Sequence, residues 1–297
     1  MVVVNDCSED DSYIVLKQFA EQFPNLKVTT IKQDEKFSHG KKLALTVGIK
    51  AAKNDILLFT DADCKPVSNK WIQNMAAGFS PEKEIVLSYS GIMQEKGFLN
   101  KLIRYDVLFI GIQYLGFALA KIPYMGVGRN LAYRKSLYIS QKGFARHAHI
   151  LSGDDDLFVN QAANKKNTAV VYSEQSHVLT HGKNAFRLWL LQKRRHFSSS
   201  KMYKNWHKAI LALEPTSRLL FYFFPFYLIL FPQYWLLASG IFAFRLITQL
   251  LVLNFAMNQL GENKLLWAAP FFDFILPIIH LYLLISNKIK PIQQKWR

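Results

Sequence analysis

Between Leu219 and Ser286 the sequence is so dense in Leu, Phe, Ile and Trp that a soluble core alone is a poor home for it, whereas the first two hundred residues read like a soluble domain. This contrast places a boundary near Glu214-Pro215, with a domain at 1–214 and a membrane region at 215–297. Leu219 to Phe244 is long enough to cross a bilayer, with kinks expected at Pro225 and Pro232, and Leu265 to Ser286 is a second candidate despite Asp273. The segment 245–260 carries Arg245, Gln249 and Asn254 and reads as an interfacial helix or a third span. Tyr105 to Pro123 is apolar too, but Asp106, Gln113 and its glycines favour a buried or interfacial helix.

The formal net charge is +16, and much of the Lys/Arg excess lies just ahead of the apolar tail, at Lys183, Arg187, Lys193, Arg194, Arg195, Lys201, Lys204 and Lys208. Such placement suits the cytoplasmic flank of a membrane segment better than a nucleic-acid surface, so no nucleic-acid partner is expected. Lys288, Lys290, Lys295 and Arg297 close the chain with further positive charge, which favours an even number of crossings, hence two spans. Cys7 and Cys64, the only cysteines, have no metal spacing and imply neither a disulfide framework nor structural zinc. The opening Met1-Val2-Val3-Val4 is too short an apolar run for a signal peptide.

Val2 to Val4, Lys27 to Ile31, Ile56 to Phe59, Ile85 to Tyr89 and Ala169 to Tyr172 are short runs rich in β-branched or aromatic residues, and predict strands. Ser12 to Phe23 and Lys41 to Ala52 carry apolar residues at helical spacing. Strand alternating with helix predicts an α/β domain with a parallel, two-sided sheet, whose strand carboxyl ends share the edge at which open α/β sheets bind ligands.

Three acidic clusters stand out in a chain this basic, because like charges held close need a cation or hydrogen bonds. Asn5-Asp6-Cys7-Ser8-Glu9-Asp10-Asp11-Ser12 follows the first strand. Helix capping by Ser8 or Asp10 accounts for Glu9 to Asp11 but less well for Asp6, which stands at the strand end. Thr60-Asp61-Ala62-Asp63 follows the strand at Ile56 to Phe59. Two carboxylates at i and i+2 there suit a sugar hydroxyl and a hard divalent cation, with substrate phosphates completing the coordination. Ser152-Gly153-Asp154-Asp155-Asp156-Leu157 opens a helical pattern, and either caps it or supplies a proton acceptor. Gln192-Lys193-Arg194-Arg195-His196 puts Gln192 and Arg195 on one helix face, although a membrane-flanking charge run explains it as well. Lys41 and Lys42 after Gly40 suit phosphate but lack the P-loop pattern, and Gly126-Val127-Gly128-Arg129-Asn130 lacks the dinucleotide fingerprint and reads as a loop near a ligand. The histidines have no metal spacing.

In this order the segments resemble the family 2 glycosyltransferases, in particular the membrane-bound group similar to cellulose, chitin, hyaluronan and poly-N-acetylglucosamine synthases. The resemblance covers Val2 to Ser200 and the membrane tail. It implies a glycosyltransferase A-type, Rossmann-like mixed α/β sheet followed by C-terminal transmembrane helices. Asn5 to Ser12 resembles the segment Asp-Asp-Gly-Ser-x-Asp-x-Ser, which places Asp6 beside the nucleotide; Gly40 to Leu45 with Gly48-Ile49 resembles the donor-site helix, carrying Lys41. Asp61 and Asp63 match the DxD motif at the pyrophosphate, Asp63 as ligand of Mg2+ or Mn2+. Gly153-Asp154-Asp155 matches the segment that makes Asp155 the general base, with Asp154 beside it. Gln192 to His196 resembles QxxRW, which places Gln192, Arg195 and His196 in the donor or acceptor sugar region; His196 stands where the family usually has Trp.

The resemblance implies an inverting hexosyltransferase that moves a sugar from a nucleotide-diphosphate donor, a UDP-sugar, to a glycan or lipid-linked acceptor. It implies polysaccharide biosynthesis at the cell envelope by a multi-pass protein of the cell membrane whose catalytic domain is cytoplasmic. The family's opening strand, with its Tyr-Asn-Glu loop, has no counterpart ahead of Val2, so the expectation is a donor domain lacking its first strand. Two further readings stand beside this one: a polyprenyl-phosphate monoglycosyltransferase, and an inactive nucleotide-sugar-binding membrane module.

Overall fold

A computed structural model of the chain describes residues 1–32, 40–150, 152–228 and 230–289, the side chains of Pro225 and Phe226 excepted. His39 and the basic residues Lys290, Lys295 and Arg297 therefore lie outside the described residues. β1 (Val2–Asp6), α1 (Ser12–Gln22) and β2 (Lys27–Ile31) form a strand-helix-strand unit in which β1 and β2 pair in parallel. After α2 (Lys41–Ala51) come β3 (Ile56–Phe59), β4 (Cys64–Pro66), α3 (Trp71–Ala77), β5 (Ile85–Ser88), β6 (Ser90–Ile92) and α4 (Phe98–Leu119). β7 (Leu131–Arg134), α5 (Lys135–Ser140), α6 (Asp156–Ala162), β8 (Thr168–Val171) and β9 (Val178–Thr180) complete the mixed α/β part. Four helices follow: α7 (Phe186–Ser200), α8 (Asn205–Leu228), α9 (Trp235–Gln259) and α10 (Ala269–Ile289).

All five predicted strands form, but the expectation of a wholly parallel sheet needs correction. The central sheet runs in the order β3-β7-β5-β8, with β7 antiparallel between β3 and β5. β7 starts from a 3-10 turn at Gly128–Asn130 that already lies at the ligand edge, so it can only run back down the sheet. β3, β5 and β8 still point the same way, and their carboxyl ends share an edge. A second sheet in the order β4-β9-β6 continues from β5 through Tyr89.

The core under these sheets is apolar and aromatic. Ile85, Leu87, Leu131, Tyr133 and Phe158 are almost wholly buried, and the Tyr133 ring packs at 4.5 Å from Phe59 and 4.6 Å from Phe158. Each such side chain contributes about 1.5–3 kcal/mol through removal of apolar surface from water. α4 lies against Tyr89 at Gly111, where a Cβ would come within 2.6 Å of the ring, so only glycine admits that approach.

Among the described residues three helices are long and apolar enough to cross a membrane: Phe98–Leu119, Pro232–Gln259 and Leu266–Ile289. They are not alike. Of the apolar window of the first, 56% is buried inside the protein, against 6% for the second, so α4 mainly packs and α9 mainly faces outward. The expected span at 219–244 is divided: α8 runs without a break through Glu214-Pro215 to Leu228, and α9 starts after a turn at Pro232–Tyr234. Proline has no N–H to donate and disfavours helix in the residue before it, which explains a restart there. The segment 245–260 is largely the second half of α9 rather than an element of its own, and 265–286 lies almost wholly on α10 with the short turn before it.

The polar residues within these apolar helices find one another. Asp273 of α10 accepts from Arg218 at 3.0 Å, Arg245 at 2.8 Å and the Tyr222 hydroxyl at 2.6 Å. Asp106 of α4 pairs with Lys193 and lies 3.2 Å from His280 of α10. Glu262, between α9 and α10, accepts from Arg104 at 2.6 Å and from Tyr89 at 3.0 Å. Charges away from water persist when paired; these pairs tie the helices to one another, and Glu262 ties them to Tyr89 between β5 and β6.

Candidate active site

The shared edge of β3, β5 and β8 carries the second acidic cluster, the loop before α6 brings the third to it, and α2 brings Lys41. Lys41, in the first turn of α2, places Nζ 2.8 Å from Asp61 and 3.5 Å from Asp154. One ammonium thus joins the loop after β3 to the loop before α6. Burial alone would lower the Lys41 pKa, but Asp154, Asp61 and then Asp155 outweigh it and hold it above its usual range. Lys42 points elsewhere, donating to the carbonyls of His147 at 2.5 Å and Ile150 at 2.7 Å, so it fixes a loop rather than offering its charge to the recess.

Gly153 shapes the loop before α6. Its φ of +91° is a left-handed conformation that favours glycine, and a Cβ there would come within 2.4 Å of Leu157. Asp155 then caps α6: Oδ1 accepts the N–H of Asp156 at 2.8 Å, and Oδ2 accepts the N–H of Gly128 at 2.6 Å. Capping and chemistry are therefore not alternatives here, because each oxygen keeps a lone pair for a further donor. Glycine suits that contact, since a Cβ at position 128 would sit 3.2 Å from Asp155 Oδ2, closer than is usual.

Asp156 points the other way, into the protein. Its Oδ2 accepts from the hydroxyls of Ser199 at 2.5 Å and Tyr203 at 2.8 Å, which ties the end of α7 to the start of α6. Burial, then the neighbouring Asp155, push the carboxyls of Asp154 and Asp156 up to about 6 and about 7.

Asp63 is exposed, and Asp61, Asp63 and Cys64 offer ligand atoms within 4.8 Å of one another. Two carboxylates, one of them already facing Lys41, make an open oxygen-rich set of the kind that takes a hard cation together with phosphate oxygens. The acid set fits the expected Mg2+ or Mn2+.

Asp6 is half-buried at the end of β1. The capping expected of Ser8 or Asp10 is met differently: Asp11 occupies the N-cap of α1, while Asp10 accepts the N–H of Ser12 at 3.0 Å. On α7, Gln192 is half-buried and Arg195 and His196 are open to solvent. Ser199 lies four residues beyond Arg195 on the same helix face, so the Asp156 bond brings this segment to the third acidic cluster. Asp156 stands out in the sequence only as a member of the third acidic cluster, and Ser199 and Tyr203 carry no sequence signal for this contact. Arg129 is visible only as part of the Gly126 to Asn130 segment, whose two glycines signal a close backbone approach.

The model of glycosyl transferase family 21 matches residues 1–297. No curated protein sequence matches the chain. Among solved structures, TarS of S. aureus in complex with UDP-GlcNAc is 19% identical over 62% of this chain and 50% of its own, with a TM-score of 0.43. This chain thus spans half the length of that structure. TarS 1-349 is 16% identical over 100% of this chain and 83% of its own, with a TM-score of 0.44. Mannosyl-3-phosphoglycerate synthase from Rubrobacter xylanophilus is 15% identical over 67% and 61%, with a TM-score of 0.41. At these TM-scores the likeness assigns no chemistry to this chain.

Proposed function

The chain belongs to glycosyl transferase family 21, and from that premise we propose that it is a membrane-anchored, inverting transferase that moves a sugar from a nucleotide-diphosphate donor to a glycan or lipid-linked acceptor. The observation that carries this reading is the Lys41 bridge, which joins Asp61 of the DxD loop to Asp154, next to Asp155. A donor diphosphate on the Asp61–Asp63 loop would then have a proton acceptor within reach. Asp155 takes the proton of the acceptor hydroxyl as the new glycosidic bond forms, and direct displacement inverts the anomeric carbon. Asp63 would hold Mg2+ or Mn2+ together with the donor phosphates, and that ion would neutralise charge on the leaving group. Asp6 faces the nucleotide, and Gln192, Arg195 and His196 line the sugar region.

In this reading α9 and α10 cross the cell membrane and the catalytic part is cytoplasmic. The motif resemblance to family 2 synthases supports a glycan product; the exposed Leu188 and Leu191 beside Arg187 on α7 favour a lipid-linked acceptor held at the membrane surface. Transfer assayed in membranes with a panel of nucleotide sugars, with and without Mg2+ or Mn2+, identifies the donor, and product length separates one transfer from many. Asp155→Asn is expected to lower turnover by a factor of about 100 or more while donor affinity is kept. Full turnover in that variant would remove Asp155 as the base, and no transfer from any donor by the unaltered chain would favour a binding module.

A further inference from the structure

The 3-10 turn at Gly128–Asn130 lies between the two halves of the recess. β3 and β7 pair antiparallel with Phe59 opposite Leu131, so the turn that leads into β7 lies beside the loop that leaves β3 toward Asp61. Gly128 is bonded to Asp155 on one side. On the other, Asn130 is fully buried: it accepts from the Trp71 indole at 3.0 Å and donates to the carbonyls of Tyr89 at 2.7 Å and Ser176 at 2.8 Å. Arg129 is thus held by a rigid backbone between the DxD loop and the proposed base.

Its side chain is half-buried and has neither a carboxylate within ion-pair distance nor a hydrogen bond among the described residues. Every nearby acid has found another partner or faces solvent, while this guanidinium has not. A planar fork of N–H donors, unpaired and fixed in a recess of carboxylates, matches two oxygens of a phosphate.

We propose that Arg129 binds the β-phosphate of the donor and receives the negative charge of the departing nucleoside diphosphate. This assignment rests on the nucleotide-sugar reading above. As the acceptor oxygen bonds to the anomeric carbon, the bond from that carbon to the β-phosphate oxygen breaks and its electron pair goes to that oxygen. The acceptor proton goes to Asp155, and the new charge on the phosphate is met by Arg129.

The test is titration calorimetry of the full chain in detergent with UDP, GDP and dTDP, and with the matching monophosphates, in the presence of Mg2+. For the diphosphate that the unaltered chain binds, Arg129→Gln is expected to weaken affinity about ten- to a hundredfold, with less than about a threefold change for the monophosphate. Arg129→Lys should recover part of the loss, since the charge returns without the fork. Equal diphosphate affinity in Arg129→Gln, or equal losses for diphosphate and monophosphate, would overturn the assignment and leave the family reading intact. Failure of the unaltered chain to bind any nucleoside diphosphate would overturn both. Thermal midpoints measured alongside show whether either variant is folded.

Discussion

Asp155 and Asp156 are neighbours that face opposite ways, and their contrast is informative. Asp155 spends both oxygens on backbone N–H groups at the rim of the recess, whereas Asp156 is buried and holds two hydroxyls. Ser199 is also 2.8 Å from the carbonyl of His196, and its single hydrogen can serve either that carbonyl or Asp156. A carboxyl that holds its proton more tightly in the folded state than in the unfolded chain favours folding at low pH and loses that contribution as pH rises past its folded value. With Asp156 raised to about 7, stability should therefore fall as pH climbs from about 4 toward neutrality. In Asp156→Asn the thermal midpoint is expected to vary less with pH over that window; an unchanged slope would mean that the proton is not held there. The carboxylates at strand ends were legible in the sequence because strand and loop boundaries were. Arg129 and Asp156 were not, since the role of each depends on which strand lies opposite and which helix end comes back.

Among the elements, α7 is held from two sides. Its end is tied to α6 through Ser199, and its outer face is tied to the apolar helices through Lys193 to Asp106 and through Arg194 to Asn287 of α10 at 3.0 Å. The five long strands were readable from β-branched runs, but β4, β6 and β9 have three residues each, too short for a period to show. β7 was missed for a different reason: Leu131–Arg134 is a strand only because β3 and β5 flank it. The restart at Pro232 was read as a kink within a span, since sequence shows a missing N–H but not where the chain turns. Asp273 carries the junction of α8, α9 and α10, so Asp273→Asn leaves Arg218 and Arg245 without their shared anion. That change is expected to cost about 3–5 kcal/mol. Thermal unfolding in detergent reads it as a lowered midpoint, and an unmoved midpoint would show that the pairs contribute nothing net.

On the scale of the whole molecule, the boundary expected near residue 214 is not a place where two bodies meet loosely. Glu262 reaches from the α9–α10 connection to Arg104 and Tyr89, under the sheet that carries the recess. The apolar helices are thus part of the fold of the α/β part. Calorimetry should show one unfolding transition, and Glu262→Ala should lower all of it, because a buried guanidinium loses its partner at about 3–5 kcal/mol. Two resolved transitions, with only the later one shifted, would mean that the halves are independent.

Arg245 and Asp273 stand on consecutive helices and bond to each other at 2.8 Å. If α9 and α10 cross a bilayer as proposed, an Arg near the middle of α9 has no counter-ion until α10 has been synthesised. The order of emergence from the ribosome then matters. α9 would wait at the insertion machinery and leave it only with its successor, the two entering the lipid as a hairpin whose charges are already neutralised. A change confined to α10 would in that way decide whether α9 is inserted at all.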